Sequence, residues 1–166
     1  MIRAIIFDWG DTLMRDFKTY SGPMTFWERV EVIEGVEPLL KYLHQKYIFC
    51  VATNAGDSDT LLMIKALERG NIKKYFKYFF SSKDLGFSKP DPLFFKTIAD
   101  RMKFLPKECL MIGNDYANDI EGAFSVGMKT IYFNESQDIV INSKADYTIS
   151  NVNQILTILE KMKDLE

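Results

Sequence analysis

Four short stretches of this sequence carry side chains that can handle phosphate. They are Asp8-Trp9-Gly10-Asp11-Thr12, Thr53-Asn54, Ser88-Lys89-Pro90-Asp91-Pro92 and Gly113-Asn114-Asp115-Tyr116-Ala117-Asn118-Asp119. A cluster of acids without histidine or cysteine suits Mg²⁺, which takes oxygen ligands and commonly shares its shell with a phosphate. A lysine beside such a cluster pairs with carboxylate and phosphoryl oxygens as a point charge. A threonine hydroxyl and free loop amides donate hydrogen bonds to the group in transit. With the phosphate anchored, an aspartate can attack phosphorus to give an acyl phosphate that water then hydrolyses. Each stretch alone is ordinary: an acid after a strand is usually a turn or cap residue, and Lys-Pro-Asp-Pro is a helix start. Together and in this order they point to phosphoryl transfer.

The chain between these stretches says how they are positioned. Ile2 to Phe7 is a continuous apolar run that stops at Asp8, and it reads as a strand buried on both faces, as in parallel sheets. Similar runs follow at Tyr47 to Ala52, Lys77 to Phe80, Cys109 to Ile112 and Thr130 to Phe133, with a weaker sixth at Asp146 to Ile149. Between them the helical patterns are Val36 to Lys46, Ser58 to Arg69 behind an N-cap serine, Leu93 to Met102, Ala117 to Val126, and Val152 to Met162. Asp91-Pro92 is the start signal of the third, with Asp as cap and Pro in the first turn. Alternating strands and helices predict an α/β sandwich around a mostly parallel sheet, in which functional residues gather where strands end.

Composition narrows the function classes. A chain of 166 residues fits one domain, 1–166, and is long enough to fold without a disulfide or metal staple. Twenty-one basic against twenty-three acidic residues leave no global positive field for nucleic acid or an anionic membrane. Lys73 to Phe80 interleaves lysines and aromatics as a nucleic-acid surface would. It reads better as a helix end running into a strand, with lysines solvating core-facing rings. Cys50 and Cys109 sit in apolar runs and are expected as buried free thiols. His44, the single histidine, excludes a His-rich zinc site and argues against a Ser-His-Asp triad. It is placed late in a helix as a partner of the helix C-terminus. The apolar N-terminal run is too short for a signal peptide or a membrane span, so the expected location is cytoplasmic.

The four stretches also match a known family. Ile5-Ile6-Phe7-Asp8-Trp9-Gly10-Asp11-Thr12-Leu13, Val51-Ala52-Thr53-Asn54, Ser88-Lys89-Pro90-Asp91-Pro92, and Met111-Ile112-Gly113-Asn114-Asp115 through Asp119-Ile120-Glu121-Gly122-Ala123 resemble, in order, the four motifs of the haloacid dehalogenase-like (HAD) hydrolases. The resemblance covers essentially the whole chain. It implies a Rossmann-like three-layer sandwich with strand one central in a sheet of five or six strands. It implies a Mg²⁺-dependent phosphatase with Asp8 as nucleophile, Thr53 and Asn54 on the phosphoryl group, and Lys89 neutralising charge on Asp8 and phosphate. Mg²⁺ would be held by Asp8, the Gly10 carbonyl, and acids of the fourth motif, Asp115 and Asp119.

Two departures from the family pattern matter. Phosphatases of the family usually carry a second aspartate two residues after the nucleophile, as general acid and base. Here that place is Gly10, and the next acid is Asp11. Either Asp11 reaches the leaving oxygen from a differently shaped loop, or the substrates need little acid help, or the protein binds phosphate and turns over poorly; the first is preferred. In the fourth motif Asn114 stands where many relatives have aspartate. Asp115 and Asp119 then share one helix face at i and i+4; Asp115, Asp119 or Asn114 completes the metal site, with Asp119 alternatively holding Lys89.

Relatives often carry a lid, inserted after the first motif or between the second and third. Met14 to Gly35 offers 22 residues and Ala55 to Phe87 offers 33, both short of the ~50 residues of a small domain. A short flap or linker over 14–35 and no cap domain are therefore expected. Such a site is open to phosphorylated substrates small or macromolecular, or is covered by a second copy in a homo-oligomer. Met14, Met24, Phe26 and Trp27 are candidates for that contact or for packing on the sheet edge. The competing classes are a dehalogenase, which needs no Mg²⁺, and a phospho-accepting signalling module, whose acceptor aspartate would follow strand three rather than strand one.

Overall fold

The computed structural model describes residues 1–54 and 56–164. Ala55, the first residue of the second inter-motif stretch, lies outside the described residues. Six strands, β1 (Ala4–Phe7), β2 (Ile48–Thr53), β3 (Tyr78–Ser81), β4 (Cys109–Gly113), β5 (Lys129–Phe133) and β6 (Tyr147–Ile149), form one sheet in the order β3-β2-β1-β4-β5-β6. Every pairing is parallel, so the sheet is wholly rather than mostly parallel, and the weak sixth strand is present.

The reason is visible along β1. Alternate side chains leave opposite faces of a strand. Ile5 and Phe7 enter one core with Phe49, Val51, Leu110 and Ile112, while Ala4 and Ile6 enter the other with Cys50, Ala52 and Met111. A strand covered on both sides must be apolar throughout, which is how the run reads in the sequence. Helices α1 (Val36–Leu43), α2 (Thr60–Arg69) and α6 (Gln154–Asp164) cover the first face through residues such as Leu40, Met63 and Ile155. The short α3 (Ser82–Leu85), α4 (Pro92–Met102) and α5 (Gly122–Ser125) cover the second through Leu85, Phe95, Ile98 and Ala123. The result is a three-layer sandwich.

The start signal of α4 is present as expected: Asp91 caps the Leu93 N–H at 2.8 Å and Pro92 opens the first turn. At α2 the cap is Asp59, not Ser58: its Oδ1 accepts from Leu62 N at 2.9 Å. The helix begins one residue later than the periodicity suggests, so the adjacent acid takes the unpaired amide. The expected helix over 117–126 is instead a π-helical turn, Tyr116–Glu121, followed by α5. Lys73–Tyr75 is a 3₁₀ turn leading toward β3, and both cysteines are buried and free. The His44 Nδ1 lies 2.8 Å from the Lys41 carbonyl at the end of α1.

The segment 14–35 is a short excursion closed at its base. Arg15 N donates to Glu31 O at 2.8 Å and Ile33 N to Leu13 O at 2.9 Å. Met14, Met24 and Trp27 are buried, and Phe26 is exposed. From α2, Arg69 donates to the carbonyls of Thr25 and Trp27, at 2.9 and 2.6 Å, and so pins the excursion to the body. No separate cap domain is evident among the described residues. None of the described helices is long and apolar enough to cross a membrane.

Candidate active site

The chain runs from β1 outward to β3 on one side and from β4 to β6 on the other, so the strand order reverses between β1 and β4. A crevice opens at the carboxyl ends of strands at such a reversal. Asp8, Gly10, Asp11, Thr53, Asn54, Lys89, Asn114, Asp115 and Asp119 all line one cleft there. Every site residue named from the sequence is therefore in one place.

Asp8 follows β1 directly, and its N–H donates to the Ile112 carbonyl at 2.9 Å, which extends the β1–β4 ladder to the acid itself. The chain then reverses: the N–H groups of Thr12, Leu13 and Met14 all point back to the Trp9 carbonyl, at 3.3, 2.9 and 3.2 Å. Asp11 sits in the left-handed region at φ 56°, which Asp tolerates better than most residues. One of its carboxylate oxygens accepts from Asp16 N at 3.0 Å, so Asp11 ties this loop together.

Lys89 is buried, and its ammonium donates to Asp8 Oδ1 at 2.7 Å, Asp119 Oδ1 at 2.6 Å and the Ala52 carbonyl at 3.1 Å. All three N–H donors are accounted for. Burial alone would pull the lysine pKa down, but the charges of Asp8 and Asp119 outweigh it, and the pKa ends above its ordinary value. Burial and the Asp8 charge together raise Asp119, against the pull of Lys89. Two buried acids thus share one base.

Asp119 reaches Lys89 because of how its turn is built. Asp115 caps the π-helical turn through Asn118 N at 3.1 Å and also accepts from Asn118 Nδ2 at 2.7 Å. The second oxygen of Asp119 accepts from Asp115 N at 3.0 Å. Its carboxylate lies flat over Gly113, where a Cβ would stand 2.1 Å from Oδ2. Of the two roles open to Asp119 in the sequence, holding Lys89 is the one observed. Asn54 does not point its amide into the cleft; both ends bind the Lys89 backbone, at 2.7 and 2.9 Å. Thr53 is buried, with its hydroxyl donating to the Asn54 carbonyl at 3.2 Å.

Among the described residues no three His, Cys, Asp or Glu side chains are grouped to hold a metal ion. Asp115 and Asp119, expected as metal ligands, are engaged as just described. The group that faces Asp8 is Asn114. The inner atom of its amide lies 3.1 Å from Asp8 Oδ2, 3.1 Å from the Gly10 carbonyl oxygen and 3.2 Å from Thr12 Oγ1. Turned with nitrogen inward, the amide donates to all three. Turned with oxygen inward, it accepts from Thr12 and sets its oxygen 3.1 Å from both Asp8 Oδ2 and the Gly10 carbonyl oxygen. Asn114 is one of the three metal-ligand alternatives open in the sequence, whereas Thr12 belongs to a quoted motif and has no role there. The signals were their places, one residue after the strand-four glycine and four residues after Asp8.

A family model described as haloacid dehalogenase-like hydrolase matches residues 16–127. A glyceraldehyde 3-phosphate phosphatase of Pyrococcus furiosus is 29% identical over 135 residues, 79% of this chain and 55% of that protein. A pyrimidine 5'-nucleotidase of Streptococcus pneumoniae is 28% identical over 134 residues, again 79% of this chain and 55% of that protein. The chain spans about half the length of these curated relatives. Among solved structures, a HAD phosphatase from Thermococcus onnurineus superposes with a TM-score of 0.81 at 20% identity, over 95% of this chain and 98% of that one. At that identity the likeness establishes the fold.

Proposed function

The chain belongs to the haloacid dehalogenase-like hydrolase family, and from that membership we propose that it is a phosphatase, hydrolysing a phosphomonoester through an aspartyl phosphate on Asp8. The observation that carries this reading is Lys89, buried and shared between Asp8 Oδ1 and Asp119 Oδ1. A lysine so placed fixes the Asp8 carboxylate and puts positive charge where phosphoryl oxygens arrive.

In this reading Asp8 Oδ1 attacks phosphorus and the alcohol departs; water then attacks the same phosphorus and frees Asp8. Thr53 holds a phosphoryl oxygen through its hydroxyl, and Asn54 keeps the Lys89 backbone in place. Asp119 keeps Lys89 charged and aimed. The donor set fits a hard divalent cation such as Mg²⁺: Asp8 Oδ2, the Gly10 carbonyl and, with its oxygen inward, Asn114, with Asp115 and Asp119 behind them. Bound there, Mg²⁺ would screen the phosphate charge from the two acids. The whole chain is proposed to work as one domain, with 14–35 as a short flap.

A panel of phosphomonoesters assayed with and without Mg²⁺, on the unaltered protein and on Asp8→Asn, tests the reading. Mg²⁺-dependent turnover that disappears in Asp8→Asn is expected. Release of halide from a 2-haloacid without Mg²⁺ would make it a dehalogenase, and a stable phosphoprotein without turnover would make it a phospho-acceptor.

A further inference from the structure

Departure of an alkoxide requires a proton, and Gly10 has no side chain to give one. The acids of the cleft differ in what they are free to do. Asp8 is the attacking group, Asp119 is bound to Lys89, and Asp115 caps its own helical turn through Asn118. Asp11 has one oxygen on the Asp16 backbone. The remaining acid is Asp16, whose side chain is 40% exposed and whose carboxylate pairs with the surface residue Lys18.

Asp16 reaches position 10 through space. A Cβ built on Gly10 would lie 3.4 Å from Asp16 Cβ and 3.8 Å from Asp16 Oδ2, so Asp16 stands in van der Waals contact with the place a side chain at position 10 would take. It also lies at a junction. A second cleft, walled by Trp9, Tyr20, Met24 and Trp27, meets the Asp8 cleft, and the residues common to both are Gly10, Asp16, Thr53 and Asn54. A substrate with its phosphoryl group against Asp8 and its alcohol portion among those rings must carry its bridging oxygen across this junction.

We propose that Asp16 is the general acid and base of the reaction, a role that rests on the phosphatase reading. As Asp8 Oδ1 bonds to phosphorus, the phosphorus–oxygen bond to the alcohol breaks and the Asp16 carboxyl proton passes to the departing oxygen. In the second half, water bonds to phosphorus, its proton returns to the Asp16 carboxylate, and the bond to Asp8 breaks.

The test compares two esters that share a ring and differ in leaving-group basicity, 4-nitrophenyl phosphate and 4-nitrobenzyl phosphate. The value read is kcat/KM, which covers the steps through alcohol departure. Asp16→Asn and Asp16→Ala are expected to lose about 10²–10⁴ on the benzyl ester and less than tenfold on the phenyl ester, with thermal midpoints near that of the unaltered protein. Equal losses on the two esters, or none, would overturn the assignment, as would the selective loss appearing in Asp11→Asn instead. If the unaltered protein turns over no phosphoester, or Asp8→Asn remains active, the phosphatase reading itself falls and takes the assignment with it. Activity that is lost in Asp8→Asn but unchanged in Asp16→Asn removes the assignment alone.

Discussion

The side-chain amide of Asn54 makes two hydrogen bonds to the backbone of Lys89, Nδ2 to the carbonyl at 2.9 Å and the N–H to Oδ1 at 2.7 Å. The Lys89 ammonium in turn binds the Ala52 carbonyl, two residues before Asn54. Lys89 is thus gripped at both ends by one strand terminus, which leaves its side chain little choice of direction. Asn54→Ala frees the backbone end. A positioning error near 1 Å at a reacting group can cost about 10²-fold. Steady-state kinetics are expected to show kcat reduced by about ten- to a hundredfold with KM changed much less. A pure rise in KM would instead make Asn54 a substrate contact.

Removing the charge of Lys89 should reveal the two acids it neutralises. Lys89→Met leaves Asp8 and Asp119 unpaired, and breaking a buried pair typically costs about 3–5 kcal/mol. Burial and the Asp8 charge hold the Asp119 carboxyl up at about 7 even with the lysine opposing them, so its loss must raise that value further. An acid whose folded pKa exceeds its unfolded value favours folding least once the unfolded form has ionised. The unaltered protein shares this loss up to about pH 7, so the deficit of Lys89→Met is steady below that pH and grows above it, toward the further raised folded pKa of the variant. Denaturant unfolding at pH 5 and pH 8, with the unaltered protein in parallel, reads it. An equal deficit at both would assign the cost to packing.

The strands, and the strand-end motifs that meet in the cleft, were legible because each is a local pattern. Ile5-Ile6-Phe7 declares a doubly covered strand, and Asp8, Thr53, Asp115 and Asp119 stand at strand ends that a parallel sheet brings together. What the pattern did not carry is orientation. Whether Asn54 faces substrate or Lys89, whether Asn114 or Asp115 faces Asp8, and whether Asp16 meets Gly10 depend on the reversal about the Trp9 carbonyl and on the π-helical turn at 116–121. Both are built by hydrogen bonds between residues three to five apart in loops, which apolar periodicity does not encode. For the same reason the smooth helical periodicity over 117–126 hid a turn that aims Asp119 inward.

That turn makes Gly113 a sensitive position. Its Cβ would fall 2.1 Å from Asp119 Oδ2 and 2.3 Å from Cγ, closer than side chains tolerate. Asp119 is fully buried and cannot swing into solvent without opening the turn. Gly113→Ala is expected to destabilise by about 1–3 kcal/mol, the usual range for overpacking, and to lower kcat through the loss of the Asp119–Lys89 bond. Calorimetry and kinetics on one preparation check both. A stable variant with unchanged kcat would show that Asp119 does not position Lys89.

Metal affinity separates Asn114 from Asp115 without any assay of turnover. A ligand that binds only the folded state stabilises by RT ln(1 + [L]/Kd), about 2.7 kcal/mol at a hundred times Kd. Asn114 faces Asp8 Oδ2 and the Gly10 carbonyl at 3.1 Å each, whereas both Asp115 oxygens face Asn118. Magnesium is therefore expected to raise the unfolding midpoint of the unaltered protein and of Asp115→Asn, and to leave that of Asn114→Leu unmoved. The opposite pattern would place the ion on Asp115. Removing the cation with a chelator should also turn the Asn114 amide, because its nitrogen then donates to Asp8, Gly10 and Thr12. The side-chain NH₂ resonances of Asn114 should shift accordingly on titration, and their invariance would place the cation elsewhere.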